Sequence, residues 1–598
     1  MNGTAIAEQI IAPPAETQPQ TQYAVAAPGS EKAVEVAAKR IAIFVAHGMG
    51  QQIPFETLDV IAESLRAYDT SLTGRRDPPT SNTIKAGPEQ WLQRIELKLK
   101  SIDNPIEAHV YEGYWAPLTE GRITLRQLIA FLAGAGSNGL KIALKTFQRW
   151  LMGKYQRFPT PIRIVLYLLV SLATVASLVV LNSTIVTVAA GRTLFSQRPW
   201  WLTDGLFADL TTTFNGVVTT MIAFALSLLV SLLIRRLHLP AVARRIWSWF
   251  TVAVFYLTVL VIILAGVSVL SLLFIHIRGG VADDAELWQR FASKVRIDAF
   301  NARFDSWAFT LVVTAAALVL LVRLLSIVRG FARDLRDAHG RWLTVAVAAA
   351  FSLIVVAVAF VANRFFETLQ GGNGIALARH GIAWPLLVAA SAFIRLVLVQ
   401  YLGDVAIYVM PYKVDAFNNL RKEIKETVYK VVHAVYALKD QSGLRPAYDS
   451  VIVLGHSLGS VIAYDALNRL IHEDRVAAPA DALHIVDRTP LFLTFGSPLD
   501  KTAFIFGAQG HGTTEARESL AASVQPLIQS YEYRPASWIN IYSPWDIISG
   551  YLDLYDLPGA TDPRKVQNVR DPEATTLLMA HTEYWNDGLL VRTLYSAL

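Results

Sequence analysis

Residues 451–463 read Val-Ile-Val-Leu-Gly-His-Ser-Leu-Gly-Ser-Val-Ile-Ala, and Ser457 stands between Gly455 and Gly459. A short, continuous β-branched run is the pattern of a buried parallel strand. The apolar residues after Gly459 read as a helix. A G-x-S-x-G turn between such a strand and helix lifts the serine Oγ out of the sheet and aims the helix N-terminus at the reacting centre. The two glycines leave room for a tight, strained turn and for close strand–helix packing. With Gly near 7% of residues and Ser similar, the bare pattern arises by chance about 0.2 times in a chain this long. The strand before, the helix after and His456 at the intervening position carry the discrimination. The competing reading is a tight turn with a hydrogen-bonded structural serine.

A serine hydroxyl is a poor nucleophile until a base takes its proton, and that base needs a carboxylate to set its tautomer and stabilise its charge. In α/β-hydrolases the chain order is Ser, then Asp or Glu, then His. His472, His484, His511 and His581 follow Ser457. The first two precede the acid candidate, and His511 lies in a Gly-rich stretch. His581 follows every core strand and is the expected base. For the acid, Asp546 comes directly after the strand pattern Trp538–Tyr542, in Ser-Pro-Trp-Asp-Ile-Ile. A carboxylate there faces the same sheet edge as the elbow, where open α/β sheets place their sites. Asp500, Asp553 and Asp556 are the runners-up.

A tetrahedral intermediate needs two N–H donors. Leu458, next after the nucleophile, supplies one backbone N–H. The other is expected from the early strand–loop Val45-Ala-His47-Gly48-Met49-Gly50, with Met49 first choice and Gly48 second. His47 is read as shaping that loop, because no cluster of His, Asp and Glu is visible around it. No metal and no cofactor is expected.

These residues resemble the α/β-hydrolase lipases and esterases, and the local likeness is to class 3 lipases. There a G-H-S-L-G elbow is followed by a T-F-G-S/Q-P strand end, an N-x-x-D-x-[VI] acid segment and H-x-x-E-[YV]-W. Here the counterparts are Gly455–Gly459, Thr494–Pro498, Asn540 to Ile547 and His581–Trp585. Five residues separate Asn540 from Asp546, and the last motif is one residue shorter between His and Glu. The likeness covers about 451–590 plus the early His-Gly loop. It implies Ser457, Asp546 and His581 as a triad and carboxylic-ester hydrolysis as the default chemistry.

Around this site the composition is unusual. The 598 residues are 53% apolar and 17% charged, against about 25% charged in ordinary soluble chains. That imbalance suggests membrane spans mixed with soluble structure. The net charge of +6 comes without a compact Lys/Arg block interleaved with aromatics, so a nucleic-acid partner is not expected. There is no cysteine, which excludes disulfides and thiolate chemistry.

Residues 1–38 are rich in Ala, Pro, Gln, Glu and Thr, lack the pattern of a signal peptide, and read as a disordered tail. Strands are expected at 41–45, 95–99 and 106–115, a helix at 56–67, and irregular polar chain at 70–88. Leu128–Leu140 is apolar but too short to span. Across 140–151, Lys141, Lys145 and Arg149 share one helical face and Leu140, Leu144, Phe147 and Leu151 another, which reads as a basic helix on a membrane surface. Six spans are expected, near 164–190, 215–234, 247–275, 307–328, 342–362 and 383–402, each about the length a bilayer requires. Arg323 and Arg395 fall in the cytoplasmic thirds of two of them. Lys and Arg cluster before the first span and in alternate loops, so both soluble parts are placed in the cytoplasm. A charged helix at 413–438 precedes the elbow strand.

The strand at 41–45 needs sheet partners, and 451–549 supplies strands of the same buried type. The expected architecture is therefore one mostly parallel α/β-hydrolase-type domain, 39–125 and 403–598. It is split by an interfacial segment (126–163) and a six-span region (164–402). The expected activity is a membrane-anchored serine hydrolase acting on lipid or lipid-like esters. An acyltransferase or thioesterase would share every residue named, and a transporter or scaffold with a hydrolase-like domain is the non-catalytic alternative. The sequence leaves the oligomeric state open.

Overall fold

The structure is a computed structural model. It describes residues 39–48, 53–74, 77–87, 90–100, 105–119, 125–143, 147–159, 161–194, 241–277, 415–508, 515–577, 579–586 and 588–598, with scattered positions between 213 and 234. The chain divides into two compact units, residues 1–166 with 400–598, and residues 167–399.

The first unit is built on an eight-stranded sheet. Its strands are β1 (Lys39–Ala46), β2 (Thr80–Lys85), β3 (Trp91–Lys100), β4 (Pro105–Gly113), β7 (Ser450–His456), β8 (Leu491–Phe495), β9 (Ser537–Tyr542) and β10 (Val566–Arg570). The spatial order is β10-β9-β8-β7-β1-β4-β3-β2. From β10 through β4 every pairing is parallel. At the far edge, β3 and β2 pair antiparallel. Parallel sheets are covered on both faces, so their central strands are apolar throughout. Ile41 through Ala46 are accordingly sealed from solvent, as are Val451 through Leu454.

β1 and β7 are direct neighbours, with Ile43 opposite Ile452 and Ala46 opposite Gly455. Some 400 residues lie between them in the chain. Sheet pairing therefore joins the two ends of the sequence into one core. Helix α1 (Glu56–Thr73) packs on β3 and β4. It continues beyond the expected end at 67, and β2 occupies part of the stretch expected to be irregular. β10 was also not anticipated; its pattern, Val-Gln-Asn-Val-Arg, is too polar to announce a strand and forms one because β9 offers a free edge.

The segment 126–163 departs from expectation. Helix α2 (Leu125–Ala143) is followed by a hairpin, β5 (Phe147–Leu151) and β6 (Lys154–Phe158), so no amphipathic helix covers 140–151. The reason is local. Met152 and Gly153 both take positive φ, 47° and 73°, the geometry of a type I′ hairpin turn. Phe147, Arg149 and Leu151 then share the buried face at period two. Arg149 donates to Leu554 O at 2.7 Å and lies over the Tyr555 ring, while Met152 N–H donates to Ile528 O. A residue read as part of the basic face of a membrane-surface helix is thus a buried tie within the first unit.

In the second unit, two helices among the described residues are long and apolar enough to cross a membrane. They are Ile162–Thr184 within α3 (Ile162–Leu194) and Ile246–Ser271 within α4 (Ala241–Ile277). At 1.5 Å per residue the shorter spans about 35 Å, more than the roughly 30 Å hydrocarbon core. Gly266 brings α4 against Ser177 of α3; a Cβ there would meet Ser177 Oγ at 2.4 Å. Described positions within 215–234 are helical, and Trp247 Nε1 donates to Ser227 O. The expected spans at 307–328, 342–362 and 383–402, with Arg323 and Arg395, lie outside the described residues, as does the 1–38 tail. Helix α5 (Asp415–Ala437) returns the chain to the first unit, where α6 (Leu458–Val476) packs on β7 and β1.

Candidate active site

All the strands from β10 to β4 point their C-terminal ends at one edge of the sheet, and the chemistry-bearing residues gather there. Ser457 follows β7 directly and has φ 54° and ψ −131°. That conformation is closed to ordinary L-residues and persists only where surroundings enforce it. The enforcement comes from glycines. A Cβ on Gly459 would sit 2.2 Å from both Ala46 O and His47 O, and one on Gly455 would meet Ser460 Cα at 2.4 Å. The end of β1 therefore presses against the first turn of α6. Ser457 is fully buried, and its Oγ has no hydrogen-bond partner within the described residues. A buried polar atom left unpaired in a native fold calls for an explanation, and a waiting nucleophile is one. The structural-serine reading required a hydrogen-bonded Oγ.

The acid and base meet. His581 Nδ1 lies 2.9 Å from Asp546 Oδ2. His581 sits on a short helix, α8 (Ala580–Glu583). Asp546 is one residue in a polar net. Its Oδ1 accepts from Ile548 N–H at 2.8 Å, and its Oδ2 also accepts from Tyr584 OH at 3.0 Å. Burial alone would raise this carboxyl. The neighbouring His581, the Ile548 N–H and the Lys501 cation outweigh it and bring Asp546 down to about 2. An ionised carboxylate only accepts, so the shared proton sits on His581 Nδ1 and Nε2 is left with a lone pair.

His456 and His47 are fixers. Burial pushes His456 down to about 3, so the ring is neutral. Its Nε2–H donates to His581 O at 2.9 Å, and the ring stacks on Phe495. The residue beside the nucleophile thus grips the backbone of the base. Burial likewise brings His47 down to about 4. Trp115 N–H donates to its Nε2 at 3.0 Å, which leaves Nδ1–H to donate to Gly48 O at 2.8 Å. The His47 ring stacks on Trp115, with centroids 5.0 Å apart. Gly48 itself lies on the elbow; a Cβ there would be 2.9 Å from Ser457 Cβ and 3.0 Å from His456 Nδ1. Met49 and His511 lie outside the described residues. Leu458 is the first residue of α6, and the first N–H groups of a helix have no intrahelical acceptor.

Two of the three runners-up for the acid have other duties. Asp500 accepts from Asp553 N–H and Leu554 N–H, and Asp556 pairs with the buried Arg534. Among the described residues no group of three or more His, Asp or Glu gathers to hold a metal.

Two participants escaped the sequence reading. Tyr584, buried, accepts from Ser543 N–H and donates to Asp546. It stands inside the His581–Trp585 motif, whose Tyr had been assigned no role. Lys501, on α7 (Leu499–Ala508), carried no signal at all; nothing in Ser-Pro-Leu-Asp-Lys announces a site. Glu583 accepts from Thr575 and Thr576 N–H and ties α8 to the preceding loop.

Comparison of the chain with protein-family models, with curated proteins and with solved structures finds no match. The reading of the site therefore stands on its geometry and on the motifs themselves.

Proposed function

We propose that this protein is a membrane-anchored serine hydrolase of α/β-hydrolase type that cleaves carboxylic esters of lipids or lipid-like molecules. The observation that carries the reading is the Asp546–His581 hydrogen bond at the sheet edge where the strained Ser457 also lies, its Oγ unpartnered among the described residues. No structural role needs all three features together.

The chemistry follows from the positions. His581 Nε2 takes the Ser457 proton as Oγ attacks the acyl carbon, and Asp546 stabilises the imidazolium that forms. The oxyanion is held by Leu458 N–H and by Met49 N–H, the second supplied by the early loop. His47 supports that assignment, because it holds the carbonyl end of the peptide that leads into Met49. His581 then returns the proton to the departing alcohol. Water, activated by the same base, releases the acyl group and regenerates Ser457.

The lipid assignment rests on α3 and α4 and on the further apolar stretches of the sequence, which make the protein multi-pass in this reading. β1 precedes the apolar region and β7 follows it, and the two are paired. Both must occupy one compartment, so any crossings between them are even in number. The Lys and Arg distribution puts that compartment on the cytoplasmic side. Anchoring beside the bilayer raises the effective concentration of membrane-borne esters.

The test is labelling with a fluorophosphonate probe in detergent, followed by a lipid-ester panel. Wild type is expected to label and Ser457→Ala to lose labelling and turnover completely. Absence of labelling in folded wild type would refute the hydrolase reading.

A further inference from the structure

Lys501 is placed against two physical preferences. It stands in the first turn of α7, where the helix macrodipole disfavours a cation. It is also half-buried, and the loss of solvent around it brings its ammonium down to about 8 despite the nearby carboxylates of Asp546 and Asp500. A buried ammonium persists only when its donors are satisfied and its charge is matched. Here the donors converge on three consecutive backbone carbonyls, those of Ile547, Ile548 at 2.9 Å and Ser549 at 3.2 Å. An ammonium has three N–H donors, and this segment offers three acceptors.

Two of the same three residues hold the acid. Ile548 N–H bonds Asp546 Oδ1. Ser549 Oγ lies 3.0 Å from Tyr584 OH, which in turn donates to Asp546 Oδ2. Fixing the carbonyls of 547–549 therefore fixes the donors to both carboxylate oxygens. Lys501 reaches across from the segment after β8 to the loop after β9, and these strands are sheet neighbours. We propose that Lys501 is the positioning residue of this site: its ammonium gathers the 547–549 carbonyls and so holds the Asp546 carboxylate on His581. The proposal rests on the hydrolase reading and adds to it a cation that never touches substrate.

The experiment uses the full-length protein in detergent micelles. Turnover of p-nitrophenyl butyrate yields kcat and KM, and the rate of fluorophosphonate labelling reports the reactivity of Ser457. Lys501→Met is expected to lower kcat and the labelling rate about 10- to 100-fold, with KM within about twofold, because only the geometry of the transition state is disturbed. In an Asp546→Asn background the same change is expected to lower the labelling rate less than about threefold, since residues acting through one group are not additive. A purely structural lysine would lower both backgrounds equally. Thermal unfolding establishes that each variant is folded, and Lys501→Gln, which keeps two N–H donors, carries the same test if the Met variant does not fold. Unchanged kcat in a folded variant, or equal losses in both backgrounds, overturns the proposal. Failure of wild type to label would instead strike the hydrolase reading itself.

Discussion

The proposed nucleophile and the proposed acid–base pair sit on one sheet edge but are held by opposite means. Ser457 is held by backbone. Its φ of 54° is enforced by close contacts at Gly455, Gly459 and Gly48, and its Oγ has no partner among the described residues. Asp546 and His581 are held by hydrogen bonds. The carboxylate accepts three, and His581 is gripped at its ring by Asp546 and at its carbonyl by His456. The difference suits the tasks. A nucleophile must present a free lone pair, so nothing may bond it at rest. An acid that stabilises a transient cation must be ionised and oriented beforehand, which needs donors.

The contrast can be broken on either side. Asp546→Asn keeps the shape but makes the acid a donor as well as an acceptor, so the base can take the wrong tautomer. Fluorophosphonate labelling is expected to slow by about 10⁴-fold with little change in thermal stability. On the other side, Gly459→Ala drives a methyl into two backbone carbonyls that cannot yield separately. Destabilisation of about 3 kcal/mol or more is expected, read as a lower melting temperature together with lost labelling; a variant as stable as wild type would show that the elbow is not under the constraint described. Tyr584→Phe removes one of three donors to the carboxylate and also takes the hydroxyl away from Ser543 N–H and Ser549 Oγ. A fall of about 10-fold in kcat is expected, with KM unchanged.

The smallest effect concerns the loop side of the nucleophile. Glu112, at the end of β4, accepts from Phe55 N–H at the start of α1. Burial, with Glu56 nearby, raises its carboxyl to about 7. A carboxyl raised on folding contributes stability that is fully present below its unfolded value near 4.5 and is lost as pH rises through about 7. Glu112→Gln is therefore expected to melt a few degrees above wild type at pH 8, with most of the gain gone at pH 5. Scanning calorimetry at the two pH values distinguishes this from a pH-independent change.

Legibility in the sequence followed the same divide. The elbow is a run of consecutive residues, so strand, turn and helix could all be read from 451–463, and β1, β8 and β9 were announced by the same buried-strand pattern. Asp546 and His581 were found through chain order and strand ends. Their bond to each other, and the parts played by Tyr584 and Lys501, join residues up to 48 apart that no local pattern links. Arg149 shows the opposite failure. A helical periodicity over 140–151 was present but irrelevant, because a two-residue turn at Met152-Gly153 and a partner surface made period two the better burial.

By itself the sequence determined what short range determines: an apolar strand must be buried, and a serine between glycines at its end must turn sharply. It also determined that long apolar stretches interrupt the chain. Only the tertiary structure decided which distant groups share the edge of the sheet. β1 pairs with β7 across some 400 residues, and that pairing brings Gly48 onto Ser457 and makes the glycine at 459 obligatory. Backbone conformation is set by neighbours in sequence, whereas the charge and orientation of a buried carboxylate are set by whatever the fold packs around it.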